Sequence, residues 1–137
     1  MKSPIKFAEY VELAIPASVQ QRNYFPDLPN LRGKQILGIE AYSASEQGVS
    51  ESGATVQAAS DFPSALLVLF FGGGEYIKVP LVSIRRVNNT SGGWYYEIPE
   101  LGSLNIDWTK SYVFITANTA NFASKSFLFN VYYTQNN

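Results

Sequence analysis

The chain has 137 residues, 46% of them hydrophobic and 15% aromatic, but only 15% charged, with a net charge of −1. So large an apolar supply suits one folded core and excludes disorder of the whole chain. Ten basic residues against eleven acidic ones leave no basic footprint for nucleic acid. The absence of Cys and His removes disulfides, thiolate nucleophiles, imidazole bases and the usual zinc and copper ligands.

Met1-Lys2-Ser3-Pro4 leads into no uninterrupted apolar run of signal-peptide length. The expectation is an unprocessed, soluble product of the cytoplasm that makes it. Ile5, Phe7, Val11, Leu13 and Ile15 alternate as in a strand, although Phe7, Tyr10, Val11 and Ala14 also fit a helical face. The stop at Pro16 and the β-rich remainder favour the strand. Lys34 to Tyr42 reads as the next strand, with Leu37, Ile39 and Ala41 on one side.

Ser43 to Ser60 contains no aromatic residue and is rich in Ser, Ala, Gly, Gln and Glu. It reads as an exposed excursion, a disordered loop, or a segment that orders on assembly. Ala65 to Phe71 is apolar on both faces, as in a central strand or one whose outer face meets another subunit. The run is too short to cross a bilayer.

Gly72-Gly73-Gly74 permits a sharp reversal with positive φ. A phosphate loop would need a following Gly-Lys-Ser/Thr and a helix, and has neither. Tyr76 to Val87 is a return strand, with Pro80 marking a bulge or an edge position. Asn88 to Gly93 is a turn whose two glycosylation-type triplets are expected by chance in so Asn- and Ser-rich a run. Alternating strands follow at Trp94–Ile98, Tyr112–Ala117 and Ser126–Thr134.

Seven or eight turn-punctuated strands predict an all-β single domain over 1–137, a single jelly roll or related two-sheet β-sandwich with about eight antiparallel strands. An immunoglobulin-like topology is the rival, without its Cys–Trp–Cys marker.

Glu97, Glu100 and Asp107 are the candidate acids, near Trp94 and Trp108, where a glycosidase would set two carboxyls across a sugar. An outward strand residue and two turn residues explain them more simply. No nucleophile–base pair is present, so the expectation is a protein that is not an enzyme and uses no cofactor or metal. Arg32 and Lys34 could hold an anion, although a solvated turn accounts for them.

Arg85 and Arg86, adjacent on a strand, must point to opposite faces, so one of them meets an interior, a strand end or a partner. With Phe70, Phe71, Trp94, Tyr95 and Trp108 they form the set of interface candidates. Trp94, Tyr95, Tyr96 and Trp108 could equally stack on sugar rings.

Pro26 to Tyr42, with Leu31-Arg32-Gly33-Lys34 leading into Ile36-Leu37-Gly38-Ile39-Glu40, resembles small jelly-roll capsid proteins of tailless, lipid-containing icosahedral bacteriophages. So does Leu104-Asn105-Ile106-Asp107-Trp108-Thr109-Lys110-Ser111-Tyr112-Val113. The resemblance covers about half the chain and includes no diagnostic motif. It implies upright single or tandem jelly rolls on a membrane-containing shell, with a single-barrel protein at the vertices. A chain the size of one barrel would then be a vertex (penton) or minor capsid component of the virion. Its expected partners are itself, as a symmetric or cyclic homo-oligomer, and other capsid proteins. The alternative is a carbohydrate-binding or receptor-binding β-sandwich with a glycan ligand.

Overall fold

The computed structural model describes residues 6–86, 96–97 and 106–134. Eight strands appear in chain order: β1 (Lys6–Ala14), β2 (Arg22–Tyr24), β3 (Gln35–Tyr42), β4 (Ala65–Phe70), β5 (Tyr76–Pro80), β6 (Tyr96–Glu97), β7 (Tyr112–Ile115) and β8 (Ser126–Thr134). The first segment is thus a strand, and its odd residues Val11 and Leu13, with Ile15 beyond it, are buried as alternation requires.

The pairings identify the topology. β1 pairs with β8, β2 with β7, β3 with β6 and β4 with β5, all antiparallel. That is the pattern of one long eight-stranded hairpin. Rolling it up adds the contacts β3–β8 and β4–β7 and yields two sheets, ordered β1-β8-β3-β6 and β2-β7-β4-β5. This connectivity is a jelly roll. Of β6 the described residues are Tyr96 and Glu97, which pair with Ile39 and Gly38 of β3.

The inward faces of both sheets share one core. Val11, Ile39, Phe127, Phe129 and Val131 come from the first sheet, and Leu67, Leu69, Val79, Val113 and Ile115 from the second. Phe25, Phe62 and Phe122, from the connections, plug its ends.

Gly74 turns the β4–β5 hairpin at φ +94, and Phe71 N–H donates to Glu75 O at 2.8 Å across the turn. β5 is an edge strand, which is where Pro80 can sit without interrupting a ladder.

Three expectations need correction. The return strand does not run to Val87: it ends at Pro80, and a 3-10 turn follows at Leu81–Ser83. Leu37 does not share the inner face of Ile39, because a bulge between Ile36 and Gly38 turns Ile36 inward instead. The turn Asn88–Gly93 lies outside the described residues.

The third correction concerns Ser43 to Ser60, which is no loose excursion. Thr55–Gln57 fills the place beside β8 that β3 vacates: Ser126 N–H donates to Thr55 O at 2.8 Å and Gln57 N–H to Ser126 O at 3.0 Å. Val56 and Gln57 are buried, and Gln57 Nε2 donates to Phe122 O at 3.0 Å. Leu128 points to the outer face of its sheet, between Glu12 and Tyr42, and is nonetheless 0% exposed. The segment is a strap across that end of the outer face.

Candidate interaction surface

The two sheets present outer faces of opposite character. In β2-β7-β4-β5 the residues whose partners alternate with the core positions are Arg22 and Tyr24, Tyr112 and Phe114, Leu66, Val68 and Phe70, and Tyr76, Lys78 and Pro80. Strand alternation that buries Leu67 and Leu69 inward must turn Leu66, Val68 and Phe70 outward. Both faces of β4 are apolar; of its outward residues Leu66 and Phe70 are half-buried and Val68 is 1% exposed.

Aromatic rings cross this face in a row. Tyr24 and Tyr112 lie with centroids 5.2 Å apart, Tyr112 and Phe70 at 6.1 Å, and Phe70 and Tyr76 at 5.2 Å. Tyr24 is 51% and Tyr76 53% exposed, while Leu66, Phe70 and Phe114 are half-buried. The row is bounded by cations: the Arg22 guanidinium lies 5.2 Å from the Tyr112 centroid and Lys78 Nζ 5.8 Å from that of Tyr76. Neither cation is in an ion pair among the described residues.

The outer face of β1-β8-β3 is polar and acidic. Glu40 on β3 is only 1% exposed, and its Oε1 accepts from Tyr132 Oη at 2.6 Å, Arg86 Nη1 at 3.0 Å, Tyr42 Oη at 3.1 Å and Asn130 Nδ2 at 3.3 Å. Burial, together with this carboxylate, pushes the Tyr132 phenol up to about 12. Burial and then Glu40 also raise Tyr42. The bond that Arg86 donates to Glu40, and then the carboxylate's charge, raise Arg86, since both favour the cation.

Under the strap, Glu12 Oε2 accepts from the hydroxyls of Ser52 at 2.7 Å, Ser126 at 2.8 Å and Ser50 at 2.9 Å. Burial alone would raise the Glu12 carboxyl, but the three hydroxyls outweigh it and hold it below its ordinary value. Glu46 behaves alike: burial opposes ionisation, and Arg85 and Ser43 overcome it.

The expected interface residues are therefore divided. Phe70 turns to the outer, aromatic face of its sheet, where it is half-buried. Its neighbour Phe71 turns the other way, packs against the core and bridges to Ile106.

Arg85 bridges to Ala41 on β3 in parallel, with Ala41 N–H donating to Ile84 O at 2.9 Å and Arg86 N–H to Ala41 O at 2.8 Å. Both guanidinium groups are engaged by their own chain: Arg85 grips Glu46 through Nη2 at 2.9 Å and Nε at 3.3 Å, and Arg86 reaches Glu40.

Trp108 is a core residue, 4% exposed and edge-on to Phe25 at 5.3 Å, and is withdrawn from any contact with a partner. Trp94 and Tyr95 lie outside the described residues, as does Glu100.

Tyr24 and Tyr76, exposed, and the half-buried Phe114, with the buried Tyr112 between the rings of Tyr24 and Phe70, are the residues of this face that alternation alone did not single out. The signal was the second parity of β7, where Tyr112 and Phe114 alternate with the buried Val113 and Ile115.

Elsewhere, a hollow of about 340 Å³ is lined by Phe7, Pro29, Asn30, Arg32, Lys34 and Tyr133. Phe7 and Tyr133 stack at 5.5 Å along one wall, and Arg32 is held by Asp27 at 2.7 Å. Among the described residues no group of three carboxylates converges on a point where it could hold a metal ion.

No family model, curated protein or solved structure matches this chain.

Proposed function

We propose that the chain is a structural subunit of an icosahedral virion, a single jelly-roll protein at a vertex (penton) or minor capsid position. It is made in the host cytoplasm, resides in the virion, and assembles as a cyclic homo-oligomer alongside other capsid proteins. The observation that carries this reading is the aromatic row Tyr24–Tyr112–Phe70–Tyr76 on the outside of a four-stranded sheet. Tyr is among the side chains from which protein interfaces draw most of their energy, and here an apolar patch of such rings is edged by Arg22 and Lys78. A jelly roll standing upright meets its lateral neighbours through the outer faces of its sheets, which is where this row lies.

Two measurements test the reading together. Mass spectrometry of purified particles should find the chain in a fixed ratio to the other coat proteins. Light scattering should show its mass rising with concentration. A chain that is strictly monomeric and absent from particles would overturn the proposal.

A second reading, a glycan- or receptor-binding sandwich, has the hollow beside the stacked Phe7 and Tyr133 in its favour. An aromatic wall with Asn30 and Lys34 nearby suits a sugar ring and its substituents. Binding on a glycan array that disappears in Phe7→Ala and Tyr133→Ala would establish this reading. No binding at millimolar glycan would dismiss it.

A further inference from the structure

The two outer faces lie on opposite sides of one sandwich and are complementary in charge. The aromatic face carries Arg22 and Lys78, both exposed, and no acidic residue at its outward strand positions. The strap-covered face carries four carboxylates, Glu12, Glu40, Glu46 and Glu51. Arg86 neutralises Glu40 and Arg85 neutralises Glu46. Glu12 is held by serine hydroxyls, and Glu51 is exposed with its backbone N–H on Tyr10 Oη at 3.1 Å. Among the described residues no cation pairs with either. Val49, 58% exposed on the same strap, adds an apolar contact point.

We infer that these faces are the two halves of one heterologous contact, in which the aromatic face of one copy docks on the strap-covered acidic face of the next. The inference rests on the reading of the chain as an assembly subunit, and names its partner as a second copy of the same chain.

A patch packing against itself by two-fold symmetry would set Arg22 and Lys78 of one copy near those of the other. That repulsion disfavours the isologous alternative. Dissimilar faces on opposite sides of a slab instead join head to tail, and a fixed rotation per copy closes them into a ring. In this contact the aromatic row supplies the apolar burial. The pairing of Arg22 and Lys78 with Glu51, exposed on the strap, sets orientation and register.

The test uses two surface variants of the full chain, Arg22→Glu/Lys78→Glu and Glu51→Lys. Both sets of side chains are exposed, and circular dichroism and melting temperature show whether each variant keeps the fold. Sedimentation velocity across a concentration series then reads self-association. Each variant alone should associate roughly tenfold or more weakly than the parent chain. An equimolar mixture should regain association, because each variant retains the face that the other lacks.

Undiminished self-association of Glu51→Lys would mean that the aromatic face meets its own kind, and would overturn the inference. So would a parent chain that stays monomeric, or a mixture that behaves as the sum of its parts. Particle composition is scored separately. A ring that forms but is absent from virions would refute the capsid reading and leave the contact standing. A chain found in virions that fails the mixing test would do the reverse.

Discussion

Tyr132 Oη donates to Glu40 Oε1 at 2.6 Å, tying β8 to β3 across the outer face of the first sheet. The folded state thereby holds the Tyr132 proton up to about 12, against an ordinary value of 10. A group whose pKa is raised on folding adds stability that is complete below its unfolded pKa and lost as pH climbs through the folded one. Stability should therefore fall as pH rises from 10 through about 12. Tyr132→Phe should cost about 1.5–3 kcal/mol at neutral pH, the worth of one bond to a charged acceptor, and flatten the alkaline limb. Denaturant titrations at a series of alkaline pH values check both effects.

The acid limb has the opposite sign. Glu12 and Glu46 are held below their ordinary 4.5 in the folded chain. Their contribution is complete above that value and is lost as pH falls through the lower folded values. Glu12→Gln should leave the protein less stable at neutral pH and less sensitive to acid. An acid limb of unchanged steepness would show that the three serine hydroxyls do not hold the carboxylate.

Removing Arg86 tests the buried carboxylate. Arg86→Met leaves Glu40 without its cation in the middle of a sheet. The Arg86 side chain is 41% exposed, so solvent screens part of the loss, and about 1–3 kcal/mol is expected rather than the full cost of an orphaned buried charge. Adding Glu40→Gln should recover part of it. Two losses that simply add would mean that the pair is not coupled.

Deleting Gln47–Ala58 should lower the melting temperature markedly and broaden the transition. The cut removes Val56, whose burial alone contributes about 1.5–3 kcal/mol, together with the backbone bonds to Ser126 and the hydroxyls on Glu12. Loop-closure entropy changes too slowly with length to compensate. An unchanged melting curve would return the segment to the status of a dispensable loop.

That strap marks where the sequence stops being legible. Strand periodicity and turn residues identify most of the long strands, the Gly72–Gly74 reversal and the two-sided character of β4, and leave Pro80 as a bulge or an edge, because these are local consequences of alternation and backbone freedom. The strap is held by long-range contacts: Ser50 and Ser52 reach Glu12, and Gln57 reaches Phe122. A polar, non-aromatic composition looks the same whether its hydroxyls face water or a carboxylate on a distant strand. The place of Trp108 is hidden for a related reason, since a Trp beside a turn can equally sit on the surface or plug the end of a sandwich. The ion pairs of Arg85 and Arg86 are hidden from local pattern because Glu46 and Glu40, their partners, lie 39 and 46 residues away. The aromatic face was half visible in β4 and became a surface only when β2, β5 and β7 were set beside it.

The central claim is that this aromatic face is covered by a neighbouring copy in the assembled state. Hydroxyl-radical footprinting of the dissociated chain and of purified particles compares the same tyrosines in both. Tyr24 and Tyr76, half exposed in the single chain, should become strongly protected on assembly. Phe7, at the far hollow, should keep its reactivity. Equal modification of Tyr24 and Tyr76 in particles and in free chain would contradict the account.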